Sequence, residues 1–491
     1  MILPPVLSRL SPTTWVTIQT VYTQLFGIGV FAFQAPMLGP RAFGLFAIVM
    51  VFISLCDSLL DTSTDVLISM PQIEPLHYAT MNGFAALFAA GLGLTLASVA
   101  GPIASGFGVP QLAAVIQVMA VLPLVTALGA TPNAETKRRM EFKPLAIRMI
   151  SGVTLGGLVG LFLTFAGAGV WALVGQTFVQ RVIGVAVLWR NSTLPLQFSA
   201  SRQHWRDLAG FTWPLLLSRA MIWTSSQLPR CVLALHLTVT ELGLYSLAAR
   251  LADISVQMTV VPSAAVARVQ LRQYAADSAG LNVVAGAFLS RMSALCFPVC
   301  FVGAALMPTL IHAWLTSKWF DAIIPAQVLL LASATWVTFY AGGVLFLALN
   351  QQRSEALSSI LQTVTILLTV VIFGAYGLIV VAIALAIRPV LLLPVETTLV
   401  QMRCRVPARV FLSSQGPALW AAAGSGLVLL FVRDSIDSTL GSRLALVTLA
   451  AAGLAIYLML LTIMAPQTLR QLLKPASEGK SRTASPPPRD L

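Results

Sequence analysis

The sequence predicts an all-α polytopic membrane protein. Three observations carry that prediction. Mean hydropathy is +0.86, and 57% of residues are hydrophobic. Only 10% are charged, where soluble domains average about 25%. The apolar residues come in runs of roughly 20 with short polar breaks between them, the length a helix needs to cross a bilayer.

The runs place about 14 spans in order, at 13–37, 44–69, 79–104, 111–131, 145–166, 170–189, 209–232, 241–264, 285–311, 326–348, 356–374, 378–400, 417–432 and 444–464. The first follows Arg9 and has no small-residue cleavage site at the right distance, so it reads as a retained helix. Pro389 and Pro394 interrupt the twelfth, freeing backbone groups that need partners or water, and predict a kinked helix there. The polar, basic, proline-rich segment from Pro475 predicts a disordered tail.

Net charge is +13, from 30 Lys+Arg and 17 Asp+Glu. The cations are unevenly placed. With 14 spans, the loops 132–144, 190–208 and 401–416 and the tail fall on one side. That side carries about 19 Lys/Arg against about four (Arg41, Lys318, Arg433, Arg443) on the other. Topology thus accounts for the basic balance without nucleic acid, and predicts both termini in the cytoplasm. The five cysteines are odd in number and four lie in apolar segments, so no disulfide framework follows.

An internal repeat is visible. LGPRAFGLFA (38–47) is echoed by LTVTELGLYS (237–246), with a shared Gly-Leu-aromatic-small core at an offset of 199. AGAG (166–169) is echoed by GAYG (374–377) at an offset of 208. These echoes predict two pseudo-symmetric six-helix halves, 1–200 and 201–405, around a central cavity. Two further helices (406–466) and the tail (467–491) follow. An even number of spans per half makes the repeat parallel.

No loop is long enough for an extramembrane catalytic domain, and no P-loop, GxGxxG or HExxH pattern occurs. The histidines (His77, His204, His236, His312) form no evident ligand set. No catalytic residue, metal or cofactor is expected.

Candidate site residues come from charge inside apolar runs, which costs at least about 2.5–3.5 kcal/mol at the bilayer centre. Arg181, Arg219, Arg250 and Arg388 lie about nine to eleven residues from a span end. At a rise of about 1.5 Å per residue they fall near the middle of a core about 30 Å thick. Arg181 and Arg388 are also repeat mates to within one residue. The guanidinium fork suits phosphate oxygens and stays charged. Internal pairing is the competing role, and Asp253 lies one turn from Arg250. Arg148, Arg230 and Arg291 lie nearer span ends and read as snorkelling to the interface. Asp57, Asp61 and Asp65 share one stripe of the second span at i, i+4 and i+8. Asp57 and Asp61 could neutralise arginines, line a wet route, or couple protons or Na⁺, and Asp57, nearest the midplane, is the first candidate for coupling. Asp65 reads as solvated, and Glu396 as interfacial.

Five stretches resemble a known family: LGPRAFGLFAIVMVF (38–52), RRMEFKPLAI (138–147), GAGVWALVGQ (167–176), GFTWPLLLSR (210–219) and LGLYSLAARLADISVQ (242–257). In order and spacing they resemble the Wzx-type polysaccharide flippases of the multidrug/oligosaccharidyl-lipid/polysaccharide (MOP) exporter superfamily. Later spans match mainly in hydropathy. The resemblance implies translocation of undecaprenyl-diphosphate-linked oligosaccharides across the bacterial plasma membrane, a basic central cavity, and possible partnership with a polysaccharide polymerase and a chain-length regulator. Relatives carry an acid near the position of Leu228 or Pro229. Here the stretch is SSQLPRCVL, so any coupling that acid serves must use another group. A multidrug exporter of the same superfamily and an integral-membrane glycosyl polymerase are the alternatives. The first calls for an acidic, aromatic cavity and the second for a sizeable outer loop.

Overall fold

The computed structural model describes residues 12–199, 201–275, 277–466 and 468. The tail expected at 467–491 lies outside them, Thr468 excepted. All regular structure among the described residues is helical. In chain order the α-helices are α1 (Pro12–Ser69), α2 (Pro75–Gly106), α3 (Gln111–Met119), α4 (Leu122–Leu128), α5 (Ala130–Arg138), α6 (Phe142–Phe165), α7 (Val170–Asn191) and α8 (Arg202–His236). They continue as α9 (Val239–Gln273), α10 (Ser278–Trp314), α11 (Ile323–Ser333), α12 (Trp336–Ala348), α13 (Gln352–Phe373), α14 (Leu378–Cys404), α15 (Ala408–Leu440) and α16 (Ser442–Met464).

Among the described residues, eleven segments are long and apolar enough to cross a membrane, with α3–α5 forming one and α11–α12 another. The chain is therefore a multi-pass membrane protein. The first segment holds two of the expected spans in one helix. Its break is Gly39, flanked by Pro36 and Pro40, at φ 71° and ψ 170°. Glycine adopts this left-handed φ without a Cβ clash. Beside the break, the buried Trp319 indole donates to the Ala35 carbonyl at 2.9 Å. α8 and α9 are long enough but fall outside the eleven. Both are more polar: α8 carries Arg202, Arg206, Asp207, Arg219 and Arg230 beside the polar run 224–227, and α9 carries Glu241, Arg250, Asp253, Arg268 and Arg272. With the second arm of α1 and these two helices, the described segments are consistent with the expected fourteen.

Packing divides the chain into two units: Met1–Ser246 with Trp314–Trp319 and Thr363–Val381, and Leu247–Ala313 with Phe320–Gln362 and Ala382–Leu491. α8 packs in the first unit against α1. The first unit's main core gathers Leu45, Ile48, Ile53, Leu112, Ile116 and Val174. The second gathers Leu289, Phe297, Val337, Phe346, Phe411 and Tyr457. α15 and α16 belong to the second unit and pack there on Val302 and Leu306 of α10.

The two repeat motifs meet in the first unit. A Cβ added at Gly44 would lie 1.8 Å from the Val239 carbonyl oxygen, and one at Gly243 would lie 1.9 Å from that of Pro40. Gly44 is the repeat mate of Gly243, and Pro40 of Val239. The contact is thus reciprocal, as a two-fold-related pair must be. No side chain larger than hydrogen fits at either glycine without moving backbone.

Candidate functional site: an acid–arginine cavity

The second arm of α1 presents Asp57, Asp61 and Asp65 on one face, as their four-residue spacing requires. Partners for all three come from distant sequence. Arg181 of α7 meets Asp57 through both fork nitrogens, Nη1 to Oδ1 at 2.5 Å and Nη2 to Oδ2 at 2.6 Å. Thr126 completes the corner. Its Oγ1 accepts from Arg181 Nη1 at 2.7 Å and donates to Asp57 Oδ1 at 3.2 Å. Both charged side chains are less than a quarter exposed, at 22% and 23%.

Arg219 of α8 donates to Asp65 Oδ2 through Nε at 2.8 Å and also through Nη2. Its Nη1 lies 3.9 Å from Asp61. Ser58 donates to the Arg219 carbonyl at 3.1 Å, and the Trp223 indole donates to Ser54 Oγ at 2.9 Å. α1 and α8 are therefore joined by a polar ladder in which Ser54, Ser58, Asp61 and Asp65 face α8.

A cavity of about 310 Å³ opens along this stripe. Asp57, Asp61, Thr126, Asn133, Gln180 and Arg181 line it, together with Arg148 of α6. Arg148 departs from the expected snorkelling position. It lines the cavity and donates Nη1 to Asn133 Oδ1 at 3.1 Å. Asp65 is likewise not simply solvated, because Arg219 reaches it from 154 residues away. Three carboxylates thus stand against three guanidiniums. The site is charge-compensated where the sequence suggested a surplus of cation. Asp61 is the least engaged acid, with its side chain 53% exposed.

The other candidates lie in the second unit. Arg250 and Asp253 are three apart on α9 and both exposed. Arg388 of α14 is buried at 8% and donates Nη1 to the Gln362 carbonyl at 3.2 Å. Arg181 and Arg388, although repeat mates, have different partners: a carboxylate and a backbone carbonyl. Glu396 is buried at 3% and accepts from Ser358 Oγ at 2.6 Å. Gly342 makes the space, since a Cβ there would lie 2.4 Å from Glu396 Oε1.

One cluster escaped the sequence. Glu74, His77 and His204 bring potential metal-ligand atoms within 4.8 Å of one another. Its geometry is that of a helix cap. The Glu74 N–H donates to His77 Nδ1 at 3.1 Å, which uses that nitrogen's lone pair and puts the ring proton on Nε2, 3.7 Å from Asp207.

The sequence matches the family described as "Polysaccharide biosynthesis protein" over residues 34–324. The chain belongs to that family. It is 27% identical over 229 residues to the succinoglycan biosynthesis transport protein ExoT of Rhizobium meliloti (strain 1021), a match covering 46% of each chain. It therefore spans about half the length of that curated relative. Among solved structures, the lipid II flippase MurJ in an inward closed conformation aligns with TM-score 0.71 at 13% identity, covering 94% of this chain and 99% of that one. An inward-facing multidrug resistance MATE family transporter of the MOP superfamily aligns with TM-score 0.58 at 14% identity, covering 81% and 98%. At these identities the likeness establishes the fold. The family supplies the link to polysaccharide biosynthesis.

Proposed function

We propose that this polysaccharide biosynthesis protein is a flippase. It carries undecaprenyl-diphosphate-linked oligosaccharide units from the inner to the outer leaflet of the bacterial plasma membrane, for exopolysaccharide, capsule or O-antigen synthesis. Both termini face the cytoplasm. The observation that carries the proposal is Arg148, Arg181 and Arg219 gathered along one acid stripe inside a membrane-spanning unit of this family. A diphosphate needs bidentate donors at depth. In the empty state the carboxylates satisfy those donors, which removes the cost of unpaired charge in the membrane. On loading, phosphate oxygens replace carboxylate at the arginine fork. Asp61, the acid least held by an arginine, is available to a proton or Na⁺, and its occupancy biases the equilibrium between inward- and outward-open states.

Asp61 suits the coupling role better than Asp57, whose two oxygens are held by Arg181. Asp57 acts by pairing. Lipid-linked sugar, membrane lipid, and a polymerase with its chain-length regulator are the partners this reading implies.

The test is reconstitution of the full chain into vesicles loaded on one face with a lipid-linked oligosaccharide, followed by accessibility to an external glycosidase. Time-dependent exposure that requires the protein supports flipping. Folded protein that never exposes the glycan ends the proposal. Deleting the gene in the producing strain should accumulate the lipid-linked intermediate.

A further inference from the structure

A second cavity, of about 270 Å³, lies within the second unit. One wall is mainly aromatic. Trp336, Phe339, Tyr340 and Leu347 line it from one face of α12, at i, i+3, i+4 and i+11. That face starts at Trp336 because two tight i→i+3 turns end α11 before it, Ala334 N–H to the Leu331 carbonyl at 3.1 Å and Thr335 N–H to the Ala332 carbonyl at 3.0 Å. The opposite wall is polar. Glu355, Ser359 and Gln362 of α13 line it at i, i+4 and i+7, and Arg268 of α9 joins them. Gly343 lets the walls approach, because a Cβ there would lie 3.0 Å from Glu355 Oε2.

The cavity has a charged end and an apolar end. α12 ends at Ala348 and α13 begins at Gln352, and the polar run NQQR (350–353) marks that turn as the membrane surface. Leu347 and Glu355 flank the turn, and Arg268 lies near the end of α9. Trp336 stands eleven residues from Leu347, which is about 16 Å at about 1.5 Å per residue. In a core about 30 Å thick it lies near the middle. Between the ends, Ser359 and Gln362 are already engaged. Ser359 hydrogen-bonds Glu355, and Gln362 Nε2 donates to Ser358 Oγ at 3.1 Å, which in turn donates to the buried Glu396. An apolar chain lying against them breaks none of these bonds. On its other face α13 carries Leu357 and Ile360, exposed at 52% and 61%, so a single helix stands between the cavity and lipid.

We propose that this cavity holds a phospholipid whose headgroup carries both a phosphate and a primary ammonium, as phosphatidylethanolamine does. The phosphate lies on Arg268, the ammonium at Glu355, and the first part of an acyl chain along the aromatic face of α12. Charge at the surface and hydrocarbon below is the order of groups in such a lipid, and it is the order of the lining. The guanidinium fork takes phosphate oxygens. A carboxylate has about four lone-pair sites, so Glu355 accepts ammonium N–H bonds while keeping Ser359. Trp and Tyr suit such a boundary, each with an apolar body and a polar tip. Other headgroups fit worse. Glycerol carries no cation for Glu355, and choline has no N–H to donate. The lining residues all belong to the second unit, and the proposal stands independently of the flippase reading.

The test is lipid binding to the purified, delipidated full chain, counted by native mass spectrometry. The probes are phosphatidylethanolamine, phosphatidylglycerol and phosphatidylcholine with the same dioleoyl chains, and free phosphoethanolamine as competitor. Wild type should bind phosphatidylethanolamine about tenfold more tightly than the other two, the scale of one charge-assisted contact. Glu355→Gln should bring the three lipids to within about twofold of one another. Its retained binding of phosphatidylglycerol shows that the variant is folded. Arg268→Gln should weaken all three by about tenfold, since all carry the phosphate, and Arg268→Lys should recover part. Free phosphoethanolamine should displace the lipid only at concentrations about 100-fold or more above it, since it lacks the chain.

Three results overturn the assignment. Equal wild-type affinity for the three lipids means ordinary bilayer contact. A Glu355→Gln variant that keeps the preference, or an Arg268→Gln variant that binds as wild type does, puts the lipid elsewhere. Phosphoethanolamine that competes as well as the lipid makes the cavity a site for a soluble zwitterion.

Discussion

The two cavities answer the same problem, polar groups inside a membrane protein, with different chemistry. In the first unit, arginines and aspartates neutralise one another across helices. In the second, the polar groups are mainly uncharged, and an aromatic wall faces them. The repeat mates Arg181 and Arg388 carry the contrast in miniature, one on a carboxylate and the other on a backbone carbonyl.

The largest effect should come from the one contact where the repeat motifs meet. Gly44→Leu or Gly243→Leu drives a side chain into a backbone carbonyl. Either variant should remove most of the folded protein from the membrane, read by fluorescence-detection size exclusion. Normal yields would mean that the reciprocal approach is not required.

Next in size, Arg219→Ala should reduce polysaccharide export by roughly 100-fold or more, the scale of truncating a charge pair, with protein levels nearly intact. Arg219→Lys should restore only part, because lysine lacks the fork. Adding Asp65→Ala to Arg219→Ala sharpens the comparison. The double variant should regain thermal stability by removing the widowed acid, yet stay inactive. Restored export would make the pair purely structural.

Asp57→Asn should cost about 2 kcal/mol, the order expected for weakening a bidentate charged bond away from water, measured as a lower Tm. Its residual transport should keep the wild-type dependence on the proton or Na⁺ gradient. Asp61→Asn should do the reverse, leaving Tm nearly unchanged and flattening the gradient dependence measured in vesicles. If Asp57 and not Asp61 controls that dependence, the two acids have exchanged roles. The smallest effect is expected at Arg388→Lys, which keeps a cation and a donor. Transport should fall about threefold, since lysine anchors the Gln362 carbonyl less rigidly.

Hydropathy and charge placement made the helices, the spans and the acid stripe legible. The stripe in particular follows from helix geometry, since residues four apart must share a face. The partners were not legible. Asp57 and Arg181 are 124 residues apart, and Asp65 and Arg219 are 154 apart, so no local pattern connects them. A search for acids within one turn of Arg219 finds nothing, because its acid stands on another helix. Glu396 read as interfacial from its distance to a span end, yet Gly342 on α12 supplies the space that buries it. The aromatic stripe at Trp336, Phe339 and Tyr340 was present in the sequence. In a helix this apolar, such a stripe equally describes ordinary packing. Its partner, the polar stripe of α13, acquires meaning only once the two faces are known to meet.

The sequence by itself determined that this chain crosses the membrane many times, that its cations are unevenly placed, and that charge sits at depth. These follow from transfer free energy and helix period, which act on each segment separately. Tertiary structure alone decided that Arg181 and Arg219 meet aspartates, that Arg148 lines the same cavity as Arg181, and that one cavity is mainly ionic while the other joins an aromatic wall to a polar one. Those outcomes depend on which helix faces meet. In a bilayer, lipid is as apolar as the helices, so the choice of faces is set by close packing and polar contacts between distant residues and not by hydropathy.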